Sequence, residues 1–95
     1  MSTKESPYIS TCGFCEQGML RFMRCSQCDA VCAVCDECEL IWKDIAVVHE
    51  DPKSESASSF PTCPACDKAS ERWRKLDRDE VNRAKLHSYV AGESV

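Results

Sequence analysis

The chain has 95 residues, of which Leu, Ile, Val and Phe together number only 17, with nine Cys and a formal net charge of −4. That length allows one compact domain or two very small ones and excludes a large enzyme. So few large aliphatics exclude a fold held by apolar burial alone; chains of this kind need disulfides or metal.

The first ten residues read as a tail that becomes a strand near Tyr8 and Ile9. Met1 to Pro7 is polar, and no apolar run of signal-peptide length follows it. The longest mostly apolar window, Leu40 to Val48, is broken by Lys43 and Asp44, far short of the roughly 18 residues a membrane span needs. A cytoplasmic protein without membrane contact is therefore expected, with its thiols reduced. Nine is an odd count, so disulfides would in any case leave one thiol over. Metal is the expected staple.

The thiols fall at Cys12-x-x-Cys15, Cys25-x-x-Cys28, Cys32-x-x-Cys35-x-x-Cys38 and Cys63-x-x-Cys66. Two intervening residues let the backbone turn so that both sulfurs reach one ion about 2.3 Å away. Each turn supplies half a tetrahedron, so four turns make two sites, with Cys12, Cys15, Cys25, Cys28, Cys35, Cys38, Cys63 and Cys66 as the candidate ligands. Zinc, redox-inert and suited to closed thiolate tetrahedra, is expected in both, ahead of iron. Structural zinc contributes roughly 10–16 kcal/mol of apparent binding energy in finger peptides, more than the stability of a typical domain. The metal-free chain is accordingly expected to be largely unfolded.

The segments CGFC (Cys12 to Cys15), CSQC (Cys25 to Cys28), CDEC (Cys35 to Cys38) and CPAC (Cys63 to Cys66) resemble the knuckles of the zinc-ribbon group, in particular double zinc ribbons. The resemblance covers Thr11 to Asp67 and implies a metal-stabilised α+β fold of ribbon-like hairpins. Such knuckles often carry Gly after the second Cys, where φ is positive. Here Asp29, Asp36 and Asp67 follow Cys28, Cys35 and Cys66, and Asp tolerates that conformation; Glu16 and Glu39 fit it less well.

Two pairings are open. Sequential pairing joins Cys12, Cys15, Cys25 and Cys28, then Cys35, Cys38, Cys63 and Cys66; cross-bracing joins first knuckle with third and second with fourth. Shorter loop closures favour the sequential scheme. Glu16 to Arg24, with Gly18, has the length for a ribbon hairpin. Ala30 to Val34 reads as a short strand in which Cys32 is a small buried hydrophobe. The alternative makes Cys32 and Cys35 the knuckle and leaves Cys38 spare.

Leu40 to His49, β-branched and partly alternating, reads as the best strand, and Glu50 to Ser59 as an exposed, mobile loop. After Asp67 the composition turns helical. Asp77 with Glu80 three residues on forms a capping box, which splits the segment into helices over Lys68 to Leu76 and Arg78 to Val90, with Gly92 as the stop. Trp73 and Leu76 are expected to pack on the sheet. The organisation expected is a tail (1–10), a double-ribbon-like domain (11–67) and a helical segment packed on it (68–91).

Two closed four-thiolate sites leave no open position for a catalytic water, and there is no HExxH, phosphate loop or Ser/His/acid set. No enzyme is expected. Residues 1–66 carry 5 basic against 10 acidic side chains, a balance that disfavours nucleic acid; Arg72, Arg74, Lys75 and Arg78 form the one basic patch. Cys35-x-x-Cys38 with Cys63-x-x-Cys66 would suit a rubredoxin-like iron site for electron transfer, shielded by Trp42 and Phe60. The favoured reading is a zinc-stabilised module, adaptor or regulatory subunit, that docks on a protein partner. Phe14, Leu20, Phe22, Met23 and Trp42 are its candidate contacts or core.

Overall fold

The computed structural model describes residues 6–56, 58–69 and 72–94; residues 1–5 of the expected tail lie outside them. In chain order the elements are β1 (Ser6–Thr11), β2 (Met19–Arg24), β3 (Val31–Cys35), β4 (Leu40–Trp42), α1 (Ile45–Glu50), β5 (Ser58–Ser59), β6 (Arg74–Lys75), α2 (Arg78–Arg83), a single 3-10 turn (His87–Tyr89) and β7 (Gly92–Ser94). The strands make one antiparallel sheet in the order β5-β4-β3-β2-β1-β7, with β6 also paired to β2. β1 to β4 form a meander, because each CxxC segment turns the chain back on itself.

Side-chain alternation gives the sheet two faces. Phe22 lies opposite Ala33, and Ala33 opposite Trp42, so this row forms one face. Ile9, Leu20, Ile45, Val48, Leu76 and Val81 join it in the main core, which α1 and α2 cover. Leu76 is buried, as expected of it, and its N–H donates to the Phe22 carbonyl at 2.9 Å. The opposite face carries Arg21, Val34 and Ile41 in register, with Cys32, Met23 and Trp73 in a smaller cluster.

Several sequence expectations are corrected. The strand expected over Leu40 to His49 stops at Trp42, and α1 takes its second half. The Asp44 carboxylate accepts from the Ala46 N–H at 3.0 Å, an N-cap, and burial of Ile45 and Val48 follows a three-residue helical spacing. Burial against the sheet has outweighed the strand propensity of β-branched residues.

No helix is present among the described residues of 68–76; residues 70 and 71 lie outside them. Arg74 and Lys75 instead pair with Arg24 and Met23. The expected helix over 78–90 begins at the Asp77 cap, whose carboxylate accepts from Glu80 N–H at 2.8 Å, but ends at Arg83. Leu86 N–H returns to the Val81 carbonyl at 3.0 Å while Lys85 takes φ 62, the left-handed residue that closes a helix. Gly92 is therefore no helix stop; it pairs with Tyr8 in β7.

The loop after α1 is tied down rather than free. Trp42 Nε1 donates to the Ser54 carbonyl at 2.7 Å. The loop also presses on the first knuckle: a Cβ on Gly13 would stand 2.8 Å from the Pro52 carbonyl oxygen and 2.9 Å from the Lys53 nitrogen.

Candidate metal centres

The hairpin turns carry the thiols. Cys12 and Cys15 lie between β1 and β2, Cys25 and Cys28 between β2 and β3, Cys35 and Cys38 at the β3–β4 turn, and Cys63 and Cys66 between β5 and β6. In each knuckle the first Cys is buried and the second more open to solvent.

Backbone hydrogen bonds shape these turns. The N–H after the second Cys returns to the carbonyl of the first: Glu16 to Cys12 at 3.0 Å, Asp29 to Cys25 at 3.0 Å and Asp67 to Cys63 at 2.8 Å. Glu16, Asp29, Glu39 and Asp67, one after each knuckle, all take φ between 57 and 61. The two glutamates thus adopt the conformation expected less of them, and Glu39 marks Cys35 to Cys38 as the third knuckle.

Eight sulfurs gather into two groups: Cys12, Cys15, Cys35 and Cys38, and Cys25, Cys28, Cys63 and Cys66. Within each group all four lie within 4.8 Å of one another, and each group could hold a metal ion. This is the cross-braced scheme, so the sequential pairing favoured by loop closure is corrected. The reason is rigidity. β2 has six residues and, at about 3.3 Å each, carries the second knuckle about 20 Å from the first. Closure entropy for a flexible spacer does not apply to a spacer that is itself a strand. A meander sends alternate turns to the same end, so the first knuckle meets the third. The fourth meets the second because β6 pairs with the last two residues of β2. The same geometry corrects the rubredoxin-like pairing, because Cys35 and Cys38 are not grouped with Cys63 and Cys66.

The spacing of the sulfurs fits a thiolate tetrahedron. With metal–sulfur bonds of about 2.3 Å, its edges are about 3.8 Å. Cys12–Cys38 and Cys15–Cys35 are 3.6 and 3.5 Å apart, and Cys25–Cys66 and Cys28–Cys63 are 3.9 and 3.7 Å apart. All nine cysteines are free of disulfides.

Peptide N–H groups surround the sulfurs and favour their thiolate forms. Gly18 N–H donates to Cys15 Sγ at 3.4 Å, and Glu37 and Cys38 N–H donate to Cys35 Sγ at 3.4 and 3.3 Å. In the other group Gln27 donates to Cys25 Sγ at 3.3 Å and Ala65 to Cys63 Sγ at 3.4 Å. The N–H groups of Gln17 and Gly18 pull the Cys15 thiol down to about 6. Burial pushes Cys35 up despite its two N–H donors, because crowded, desolvated thiols resist ionising without a cation beside them.

Cys32 stands outside both groups, fully buried on β3 with Val34 and Ile41. Burial, then the nearby Cys63, pushes its thiol up to about 12. The alternative in which Cys32 displaces Cys38 as a ligand does not match the grouping.

Sequence reasoning missed two supports of the first group. Gly18 lies so close to the third knuckle that a Cβ would stand 2.7 Å from Cys35 Sγ and 2.8 Å from Asp36 Oδ1. Asp36 fastens the first and third turns: its carboxylate accepts from Met19 N–H at 2.8 Å and from Arg21 Nε at 3.2 Å. Arg21 is buried and also donates to the Ser6 carbonyl at 2.9 Å. A basic residue inside a strand, followed by an acid in the facing turn, was the available signal.

No known protein family, curated protein or solved structure matches this chain. What sequence and geometry define is a small antiparallel-sheet protein whose two four-cysteine clusters are compatible with zinc-ribbon-like metal sites. Among the described residues no helix is long and apolar enough to cross a membrane.

Proposed function

We propose that both clusters hold structural zinc and that the protein is a non-catalytic interaction module, an adaptor or regulatory subunit acting on a protein partner. Each cluster has a complete set of four protein sulfurs, which supports a structural ion with no position left for substrate. The observation that carries the docking role is the exposure of large apolar side chains on rigid elements. Phe14, at the tip of the first knuckle, is 53% exposed with its ring 6.0 Å from that of Trp42, and Val47 on α1 is 46% exposed. Metal-braced turns present such groups with little conformational entropy left to lose on binding.

Charge supports a protein rather than a nucleic-acid partner. The formal charge is −4, and each zinc held by four thiolates adds about −2. Within the basic patch, Arg74 pairs with Glu80 and Arg78 lies 3.7 Å from Glu93.

The test has two parts. Elemental analysis of reduced protein should find two zinc equivalents, and a pull-down with the zinc-loaded chain should retain a partner that a Phe14→Ser, Val47→Ser double variant loses. Retention of the same partners by that variant, still zinc-loaded, would refute the docking role.

A further inference from the structure

We infer that the partner presents an extended segment rich in arginine or lysine, whose cationic side chains lie over Phe14 and enter two clefts beside it. The inference rests on the docking role proposed above and adds the chemistry of the partner. One cleft, about 170 Å³, is lined by Trp42, Lys43, Asp44, Val47, Ser54 and Glu55. The other, about 470 Å³, has Cys12, Gly13, Glu16, Asp51 and Lys53 in its wall. Phe14 adjoins both, following Gly13 in the chain and placing its ring 6.0 Å from that of Trp42. The loop over residues 51–55 walls both clefts and is fixed at two points. Trp42 Nε1 donates to the Ser54 carbonyl at 2.7 Å, and the Asp51 carboxylate accepts from Lys53 N–H at 3.1 Å. The surface is therefore formed before anything binds.

Charge selects the occupant. Asp44, Glu55, Glu16 and Asp51 stand against Lys43 and Lys53, four carboxylates to two ammonium groups, a balance of −2. None of these six side chains is in an ion pair among the described residues. Cys12 brings the first cluster to the wall of the larger cleft, and zinc held there by four thiolates adds about −2 more. An acidic or wholly apolar segment laid on Phe14 would strip water from carboxylates and return nothing. A long cationic side chain answers both parts of the surface. Its methylenes and charge rest on the exposed Phe14 ring while its head reaches a carboxylate.

The probe is an acetylated, amidated octapeptide of alternating Arg and Leu, with a Glu–Leu octapeptide as the reversed-charge control. Each is titrated into the 15N-labelled, zinc-loaded full chain. Saturable shifts at amides of residues 13–16, 42–47 and 51–55 are expected with the Arg–Leu peptide and not with the Glu–Leu peptide. Phe14→Ser, and separately Glu16→Lys with Glu55→Lys, should raise Kd about tenfold or more. Asp79→Asn, on α2 outside both clefts, should leave it unchanged. Zinc content and spectral dispersion show that each variant is folded. Equal affinity for the two peptides, or an unchanged Kd in the double charge reversal, would overturn the inference. The pull-down separates it from the docking role. A partner lost by Phe14→Ser, Val47→Ser but kept by Glu16→Lys, Glu55→Lys would overturn the basic segment and leave docking intact, whereas a partner kept by both would remove the docking role as well.

Discussion

Replacing Gly18 with alanine should damage one metal cluster and spare the other. An added Cβ would stand 2.7 Å from Cys35 Sγ, 2.8 Å from Asp36 Oδ1 and 2.8 Å from Glu37 Cβ. Ordinary contacts between such atoms are about 3.5–4.0 Å, so the third knuckle must retreat by roughly 0.7 Å or more. Metal–sulfur bonds keep their geometry within about 0.2 Å, so that retreat breaks the tetrahedron unless the whole turn follows. The turn is held by Asp36 N–H to the Met19 carbonyl at 3.1 Å and by the Asp36 carboxylate, which resist such movement. Overpacking of this kind costs about 1–3 kcal/mol, which corresponds to a zinc affinity roughly 5- to 150-fold weaker at this cluster. Competition with a chromophoric chelator reads it as one early-releasing equivalent and one at the wild-type position. Two equivalents released as in the wild type would refute the close-approach reasoning.

Three further outcomes follow from the same geometry. With 113Cd in place of zinc, Cys15→Ser and Cys38→Ser should shift the same resonance, and Cys28→Ser and Cys66→Ser the other; a shared resonance for Cys38 and Cys66 would restore the sequential pairing. Asp36→Ala removes the carboxylate that accepts from the buried Arg21 guanidinium, whose contacts with Ser6 remain. A loss of about 2–3 kcal/mol is expected in urea unfolding, and an unchanged midpoint would show that Asp36 is not a support. Glu39 sits at φ 61, where a non-glycine residue is strained by about 1–2 kcal/mol, so Glu39→Gly should stabilise the zinc-loaded protein by about 0.5–1 kcal/mol after the glycine's extra chain entropy; a lower Tm would count against the strain.

Much of the architecture is legible in the chain because the cysteines punctuate it. The CxxC spacing locates the turns and Ala30 to Val34 reads as a strand, whereas the hairpin expected within Glu16 to Arg24 is instead the single strand β2. The Asp77 cap is legible for the same local reason. What misleads is context. Ile45-Ala46-Val47-Val48 is β-branched and reads as strand, yet Asp44 caps it and the sheet buries Ile45 and Val48 together. Arg72 to Leu76 is charged and reads as helix, yet the open end of β2 recruits Arg74 and Lys75 as a strand. Neither outcome is decided within a window of ten residues, because each depends on a partner far along the chain.

The pairing of the knuckles is the instructive case. Sulfur count and spacing determine that two four-thiolate sets exist, and say nothing about which turns meet. Chain entropy alone points to neighbours. Once the spacer between two knuckles is a strand, however, the strand's length separates them, and hydrogen bonding to the next strand returns the chain to the end it left. Cross-bracing is therefore a consequence of the sheet. It also makes the sheet depend on the clusters, since one joins the β1–β2 turn to the β3–β4 turn and the other joins the β2–β3 turn to the segment leading into β6. Each cluster closes a loop across strands whose core is otherwise thin. Loss of one ion frees the end of the meander that it braces and leaves the other end joined, so the molecule is expected to unfold fully only when both ions are removed.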